Sequence, residues 1–595
     1  MSQNPGLTEV SAPLFVAWQR KAKDPDVALV RWLLEGAPAG IEKHPESLGI
    51  FPQSEAAPSK DFELSFATGY ADFNYTSMDE SPYSQEVLDE LVNAGYVTKC
   101  ESIAAAIQHF GGKVPVVSKG ALITKEKDGV LKHRLILDCR ISGTNSSTYK
   151  WERILLPRAW DLVRDGMRLK DLARQRGEDP SLYYFVCDLT DAFYKVPLAP
   201  EERHYFTLCF KGAYYCWNRV GQGSLNGPTL FGRFSAMLGR ISQSILDSDH
   251  ATLQIYVDDP VAVIRGGPTV VQRVVCRLVL LWRVLGLDLA THKAQLDRSI
   301  EWIGYQVSDG SLHTTVAIKP DFLKALLDDT IMIKKKNVLG KRELRSYTGR
   351  CNHVANLLFA WRPFMDLLWA AVTNAEQGRK KSRAPKGMLW MREVLQSLRW
   401  IHCFLKSTSN SLSRTWSLEE FLSEGSRLVI TLDASPWGLG GVLQCDGNIV
   451  SWFCSALTKH DQRIHRKRIG SARGQQTWEC LAYLVALRAW QEFWLDRRMS
   501  ITIRSDNLGA LFMGAQMRST ASAVISREVA LLYSEGAFEP RVFQHLPGIA
   551  NVLADTLSRM SEPGYNAELP NELVGIAPVI VPIRTKSYYH TLATL

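Results

Sequence analysis

The sequence predicts a multidomain α/β (α+β) protein, and three observations lead there. At 595 residues the chain is longer than one hydrophobic core can serve, so three or more domains are expected. Short β-branched and aromatic runs alternate with helical stretches twice, over about 81–310 and again over 426–562, the mark of mixed α/β bodies. Between them, from 319 to 375, the apolar period turns helical. In KRELRSYTGRCNHVANLLFAW, Leu344, Tyr347, Cys351, Val354, Ala355 and Leu358 fall on one face.

Taken in order, residues 1–80 are rich in Pro, Gly and Ser, with one short helical candidate at DVALVRWLLEG, and read as a partly irregular N-terminal extension. Residues 81–310 form the first α/β body and 311–375 a helical segment. A polar, basic run (EQGRKKSRAPKG) opens a connecting segment over 376–425. The second α/β body covers 426–562, and 563–595 is a C-terminal tail. No internal repeat or long low-complexity tract interrupts this order.

Composition narrows the function classes. Apolar content of 46% and charged content of 22% are ordinary for a globular protein. The net charge of +9 suits a polyanionic partner such as nucleic acid. The 11 cysteines form no CxxC, which argues for a reducing compartment and against a structural zinc site. The N-terminus lacks a basic-then-apolar signal, and the longest apolar run, VVCRLVLLWRVLGL, is broken by Arg277 and Arg283. The expectation is an intracellular chain, not secreted and without a membrane partner, located in the cytoplasm, free or associated with a particle, or in the nucleus.

The chemistry starts at LQIYVDDPVAV. LQIYV enters as a strand, Asp258 and Asp259 turn, and VAVI leaves. Two carboxylates at a strand tip repel, and burying either without a partner is costly. A divalent cation resolves that cost. A third carboxylate is found in SLYYFVCDLTDAFYKVPL, where the strand Tyr183–Val186 delivers Asp188 at its end. Read alone, Asp188 is more often a strand-end turn residue than a metal ligand. Three carboxylates on neighbouring strand ends can hold two Mg²⁺ ions (or Mn²⁺), which activate an attacking oxygen and stabilise a leaving one in phosphoryl transfer.

The surrounding motifs then carry a resemblance. YVDD is similar to the YxDD box of reverse transcriptases, and CDLTDAFYKVPL to their preceding aspartate motif. GQGSLNGPTLF resembles the family's Q-G-x-x-x-(S/G)-P segment, KHRLILDCR its fingers motif, and EWIGYQVS its primer grip, all in family order across roughly 120–308. The resemblance implies a right-hand polymerase with fingers and palm over 81–310 and a thumb over 311–375. It implies Asp188, Asp258 and Asp259 as catalytic metal ligands, with the Leu189 carbonyl as a further ligand. Arg134 would fork onto the incoming triphosphate, with Lys127 as a point charge and Lys125 and Lys132 close enough to take its place. Gln222 would contact the nucleotide's sugar or template side, and Lys293 the pyrophosphate. Phe193 would sit under C2′ of the sugar and exclude a 2′-hydroxyl. Trp302, Gly304 and Tyr305 would form the primer grip.

A second acidic set lies downstream. The strand RLVITLD delivers Asp433 into the glycine-rich ASPWGLGGVL. The helix SARGQQTWECLAYLVALRAW buries Trp478, Leu481, Ala482 and Val485 and projects Glu479 beside them. MSITIRSDN ends in Asp506, and a last helix in GIANVLADTLSRM carries Asp555. The set resembles the D-E-D-D site of ribonuclease H, over about 427–560. His545 stands 10 residues before Asp555, where retroviral enzymes of that family keep a mobile catalytic histidine. The resemblance implies two-metal hydrolysis of the RNA strand of a hybrid. The run KHDQRIHRKRIGSARGQQ reads as a phosphate-tracking patch, and Arg379–Lys386 could serve likewise.

The expectation is a retroelement reverse transcriptase fused to ribonuclease H, of LTR or tyrosine-recombinase type, acting on RNA template, DNA primer, dNTPs and RNA–DNA hybrid. The alternative is a decayed or domesticated copy that only binds nucleic acid. A second rival, an RNA-dependent RNA polymerase, is disfavoured by Phe193 and by the second body. Two features depart from the family pattern: Pro260 follows the aspartate pair, and LPRAWDLV stands where relatives show L-P-x-P. With no protease, zinc-knuckle or integrase signature, the chain is expected to be a processed product, a fragment of a polyprotein or a truncated copy.

Overall fold

The computed structural model describes residues 10–45, 47–54, 74–127, 130–376, 384–385, 387–407, 412–422, 428–494, 501–517, 522–535, 542–566 and 568–593. The chain divides into two compact units, Met1–Ile303 with Ser308–Ser311, and Gly304–Val307 with Leu312–Leu595. Both are mixed α/β, as the sequence predicts. No helix among the described residues is long and apolar enough to cross a membrane.

The first unit begins with two helices, α1 (Ala12–Ala22) and α2 (Val27–Glu35), where composition alone predicts a partly irregular extension. Phe15, Leu29 and Leu33 are fully buried in the main core. Two ion pairs fasten this segment. Asp26 is bonded to Arg233, both without exposure, and Asp24 to Arg240 at 2.6 Å. After α3 (Ser84–Asn93) comes a five-stranded sheet. It contains β1 (Val97–Cys100), β2 (Val117–Lys127), β3 (Val130–Asp138), β5 (Thr207–Phe210) and β6 (Ala213–Trp217), in the order β1-β6-β5-β2-β3. Between β3 and β5 run helix α4 (Ala159–Gln175) and strand β4 (Leu182–Val186). The long helix α5 (Gly227–Ser244) then leads into the hairpin β7 (Ala251–Tyr256) and β8 (Asp259–Arg265), followed by α6 (Pro268–Val284) and β9 (Gln295–Asp297). The second sheet has the order β7-β8-β4-β9, so β8 is central, and its Val261–Ile264 run is fully buried. A near-continuous apolar run suits a strand covered on both faces. Strand β10 (Ser299–Trp302) closes the unit.

In the second unit, β11 (His313–Ile318) pairs with β12 (Ser413–Ser417). Between them stand α7 (Pro320–Lys334), α8 (Lys341–Leu357), α9 (Arg362–Glu376) and α10 (Leu395–Ser407). The predicted face of α8 is buried at Leu344, Tyr347, Cys351, Val354 and Ala355, while Leu358 lies just past its end. Helix α10 falls in the stretch read as a connection. Leu398 and Ile401 are fully buried, and Trp400 stacks on Phe364 at 3.6 Å. The Arg379–Lys386 run lies, apart from Ala384 and Pro385, outside the described residues.

The C-terminal body is built on β13 (Leu428–Ala434), β14 (Gly438–Cys445), β15 (Asn448–Ala456), β16 (Ile501–Ser505) and β17 (Val542–His545). Their order is β15-β14-β13-β16-β17, antiparallel for the first three and parallel from β13 to β17. Helices α11 (Lys459–His465), α12 (Gln475–Ala489), α13 (Leu508–Gln516), α14 (Ala523–Glu535) and α15 (Val552–Arg559) complete it. The tail packs on this body. Arg584 forks onto Asp461 at 2.9 and 3.0 Å with both side chains buried, and the N–H of Val579 donates to Trp452 O at 2.8 Å.

Two candidate acidic sites

The β7–β8 hairpin turns one residue earlier than the sequence suggests. Tyr256 pairs with Asp259, so the loop is Val257–Asp258 and Asp259 already belongs to β8. Val257 has φ +57°. A positive φ at the first central position alone is the type II′ pattern, which glycine normally fills, and a β-branched residue there stores about 1–3 kcal/mol of strain. Pro260 lies opposite Ile255 within β8. Its carbonyl accepts from the Cys187 N–H at 3.4 Å, and the proline has no N–H to return.

That strand contact brings Asp188 to the hairpin. Val186 pairs with Val261, and the Leu189 N–H donates to the Asp258 carbonyl at 2.9 Å, so Asp188 stands between two residues tied to the hairpin backbone. Desolvation raises the pKa of Asp259 to about 7, and the charges of Asp188 and Asp258 add to it; an Ile303 N–H and Lys293 oppose. Asp258 is also raised, by desolvation and then by Asp188, against Arg134 and Lys293. Asp259 Oδ1 is buried without a hydrogen-bond partner. An acid so placed, beside two others, fits a divalent cation.

Around these acids is a cavity of about 740 Å³, lined by Arg134, Leu189, Phe193, Gln222, Asp188, Asp258 and Lys293. Lys293 bonds Asp188 at 2.7 Å. Arg134 stands on β3 opposite Ile123. Phe193 stacks on Phe231 at 5.1 Å and 26°, which leaves the ring half-buried at the cavity wall. Gln222 accepts the Leu137 N–H on its carbonyl at 3.1 Å. Gly223 follows at φ +113°, where a Cβ would lie 1.9 Å from Leu137 O, so only glycine fits. Lys127 ends β2, and its side chain lies outside the described residues. Trp302, buried, donates its indole N–H to Asp259 O at 3.1 Å. In the second unit, the Tyr305 hydroxyl donates to His353 O at 2.9 Å, and Gly304, at φ +83°, lies against the same His353 ring.

In the C-terminal body, ligand atoms of Asp433, Glu479 and Asp506 lie within 4.8 Å of one another. Asp433 lies on β13 opposite Gly440, Glu479 on α12, and Asp506 just past β16. Burial raises Asp433 to about 7, with Asp506 and Asp555 adding, while the Ser558 hydroxyl, bonded at 2.5 Å, opposes. Glu479 is pushed well above its usual range, by burial first and then by Asp433. Its Oε2 is buried and unpartnered, and its Oε1 accepts from Gln475 at 2.8 Å. This set also fits a divalent cation. Asp555 on α15 pairs with Arg559 at 2.8 Å. His545 stands opposite Ser505 on the parallel strand and donates from Nε2 to Asp506 O at 3.1 Å. Close approach of α15 depends on glycine, since a Cβ on Gly440 would be 2.3 Å from Ala554 O.

Sequence reading missed Ser558, Arg559 and Gln475. The first two sit three and four residues after Asp555, and Gln475 four before Glu479, the spacings that share a helix face.

Residues 126–307 match the family model described as "Reverse transcriptase (RNA-dependent DNA polymerase)". The Pro-Pol polyprotein of Simian foamy virus type 1 is 24% identical over 260 residues, 43% of this chain and 19% of the relative. The Gag-Pol polyprotein of Avian reticuloendotheliosis virus is 31% identical over 138 residues, 22% of this chain and 12% of the relative. The chain thus spans about a fifth or less of the length of these relatives. A solved foamy viral protease–reverse transcriptase in complex with double-stranded DNA overlays at TM-score 0.43 and 16% identity, over 85% of this chain and 74% of that one.

Proposed function

We propose, from the match of residues 126–307 to the reverse transcriptase family model, that the chain is an intracellular RNA-directed DNA polymerase with ribonuclease H activity, derived from a retrotransposon. The observation that carries the polymerase reading is the stitching of Asp188 to the Val257–Asp258 turn, beside the buried, unpartnered Asp259 Oδ1.

Asp188, Asp258 and Asp259 would hold Mg²⁺, which when bound activates the primer hydroxyl and screens the triphosphate. Arg134 and Lys293 supply fixed positive charge to the triphosphate in the same cavity. Lys293 bonds Asp188 at 2.7 Å and lines the same cavity, so its ammonium borders the space that the triphosphate would occupy. Phe193, backed by Phe231, closes the space below the sugar and so favours dNTPs. Gln222, which lines the same cavity, would contact the nucleotide's sugar or template side. In the second body, Asp433, Glu479, Asp506 and Asp555 would hold Mg²⁺, which activates water against the RNA strand of a hybrid. His545, anchored to the Asp506 backbone, is placed to move a proton. Both acidic sets are intact, which argues against a copy that only binds nucleic acid.

A gapped RNA–DNA hybrid with Mg²⁺ and dNTPs tests both activities on one substrate. Asp258→Asn should abolish extension and spare RNA cleavage; Asp433→Asn should do the reverse. Equal extension by wild type and Asp258→Asn would end the polymerase reading, and equal cleavage by wild type and Asp433→Asn the nuclease one.

A further inference from the structure

The loop Gly221–Asn226 presents Gln222 to the polymerase cavity, and one of its anchors, Ala39, comes from outside the matched family segment. Asn226, 2% exposed, donates from Nδ2 to Ala39 O and to Tyr149 O, each at 2.8 Å. The approach is close enough to require glycine next door. Gly40 has φ +92°, and a Cβ there would stand 2.7 Å from Asn226 Nδ2 and 2.8 Å from Tyr149 O.

Residues 36–43 are themselves gripped from below. The N–H groups of Ala39, Ile41, Glu42 and Lys43 converge on the buried Glu202 carboxylate at 2.5, 2.8, 2.6 and 3.2 Å. The Ala37 N–H donates to Pro197 O at 2.7 Å, and Ala37 O accepts from Ala199 at 2.9 Å. On the other flank Asn145 donates to Gly223 O and accepts from the Leu225 N–H, both at 2.9 Å. Gln222 therefore directly precedes two fixed points, Gly223–Leu225 and Asn226, and its own backbone carbonyl is held by the Leu137 N–H.

We propose that Asn226 is a positioning residue for Gln222, and that residues 36–43 form a strap that sets the nucleotide-facing loop through it. The inference rests on the polymerase reading. A ligand-contacting group already held in its bound position lowers the ordering cost of binding, so a loop pinned by backbone-like bonds is a means of keeping Gln222 in register for the nucleotide. The strap lies well before residue 126, where the family match begins.

The test is single-nucleotide extension by the full chain. Asn226→Ala should raise the dNTP KM about threefold to tenfold, the worth of one or two hydrogen bonds, with kcat little changed, and should lower the melting temperature because the Ala39 and Tyr149 carbonyls lose their donor. The double variant with Gln222→Ala should be no worse than Gln222→Ala alone, because both remove one contribution. An unchanged KM, or effects that multiply in the double variant, would overturn the proposal. If Asn226→Ala does not fold, Glu202→Gln loosens the strap from its other end. It should give a KM shift in the same direction, again non-additive with Gln222→Ala, and no shift overturns the proposal. A wild type that fails to extend any primer would instead remove the polymerase reading, and this inference with it.

Discussion

The indole N–H of Trp302 donates to the backbone carbonyl of Asp259 at 3.1 Å, from a ring that is 1% exposed. A residue expected at the primer is thereby fixed under the β7–β8 hairpin, where it holds the first residue of β8. Trp302→Phe keeps most of the apolar volume and removes the donor. The expected loss is about 1 kcal/mol of stability and about fivefold in single-turnover extension, with RNA cleavage unchanged. Equal extension rates would show that the ring acts by packing alone.

Asp259 and Asp433 are both raised to about 7. In the unfolded chain such carboxyls ionise near pH ~4. Between these values the folded, metal-free chain holds more protons than the unfolded one, so its stability falls as pH rises through that window. Mg²⁺ should reverse the trend, raising the melting temperature more at high pH than at low and releasing protons as it binds. Calorimetry of the metal-free chain across that pH range, with and without Mg²⁺, reads both effects.

Phe193 presents a half-buried ring backed by Phe231 at 5.1 Å. Phe193→Val opens the space beneath the sugar. Discrimination between dNTP and NTP in kcat/KM should fall by about tenfold or more, while dNTP incorporation falls only modestly. Unaltered discrimination would return Phe193 to the core.

A Cβ on Gly440 would meet Ala554 O at 2.3 Å and Ser558 N at 2.6 Å, both backbone atoms of α15. Gly440→Ala must push that helix outward and carry Asp555 away from Asp433. RNA cleavage should drop by at least about a hundredfold while extension continues. Wild-type cleavage by this variant would mean that Asp555 is dispensable.

Acids inside apolar runs were the legible part of the sequence. A charge at the end of a β-branched stretch is conspicuous, and it marked Asp188, Asp258, Asp433 and Asp506. The turn was misplaced by one residue because Val257 adopts a left-handed φ that its side chain disfavours. Local preference therefore points to the aspartates as the turn. The docking of residues 10–45 could not be read locally, since it depends on pairs such as Asp26–Arg233, 207 residues apart. Helix α10 was hidden for a similar reason: its apolar face makes sense only against Phe364 and its neighbours.

The buried fork of Arg584 on Asp461 has a consequence for synthesis. Asp461 also caps the start of α11 through Thr458, so that corner of the C-terminal body stays uncompensated until residue 584 has left the ribosome. The first unit is complete by Ser311, so on a nascent chain it can close long before the body that follows it. A stop anywhere between 562 and 584 would release a finished first unit joined to a C-terminal body that lacks its last brace.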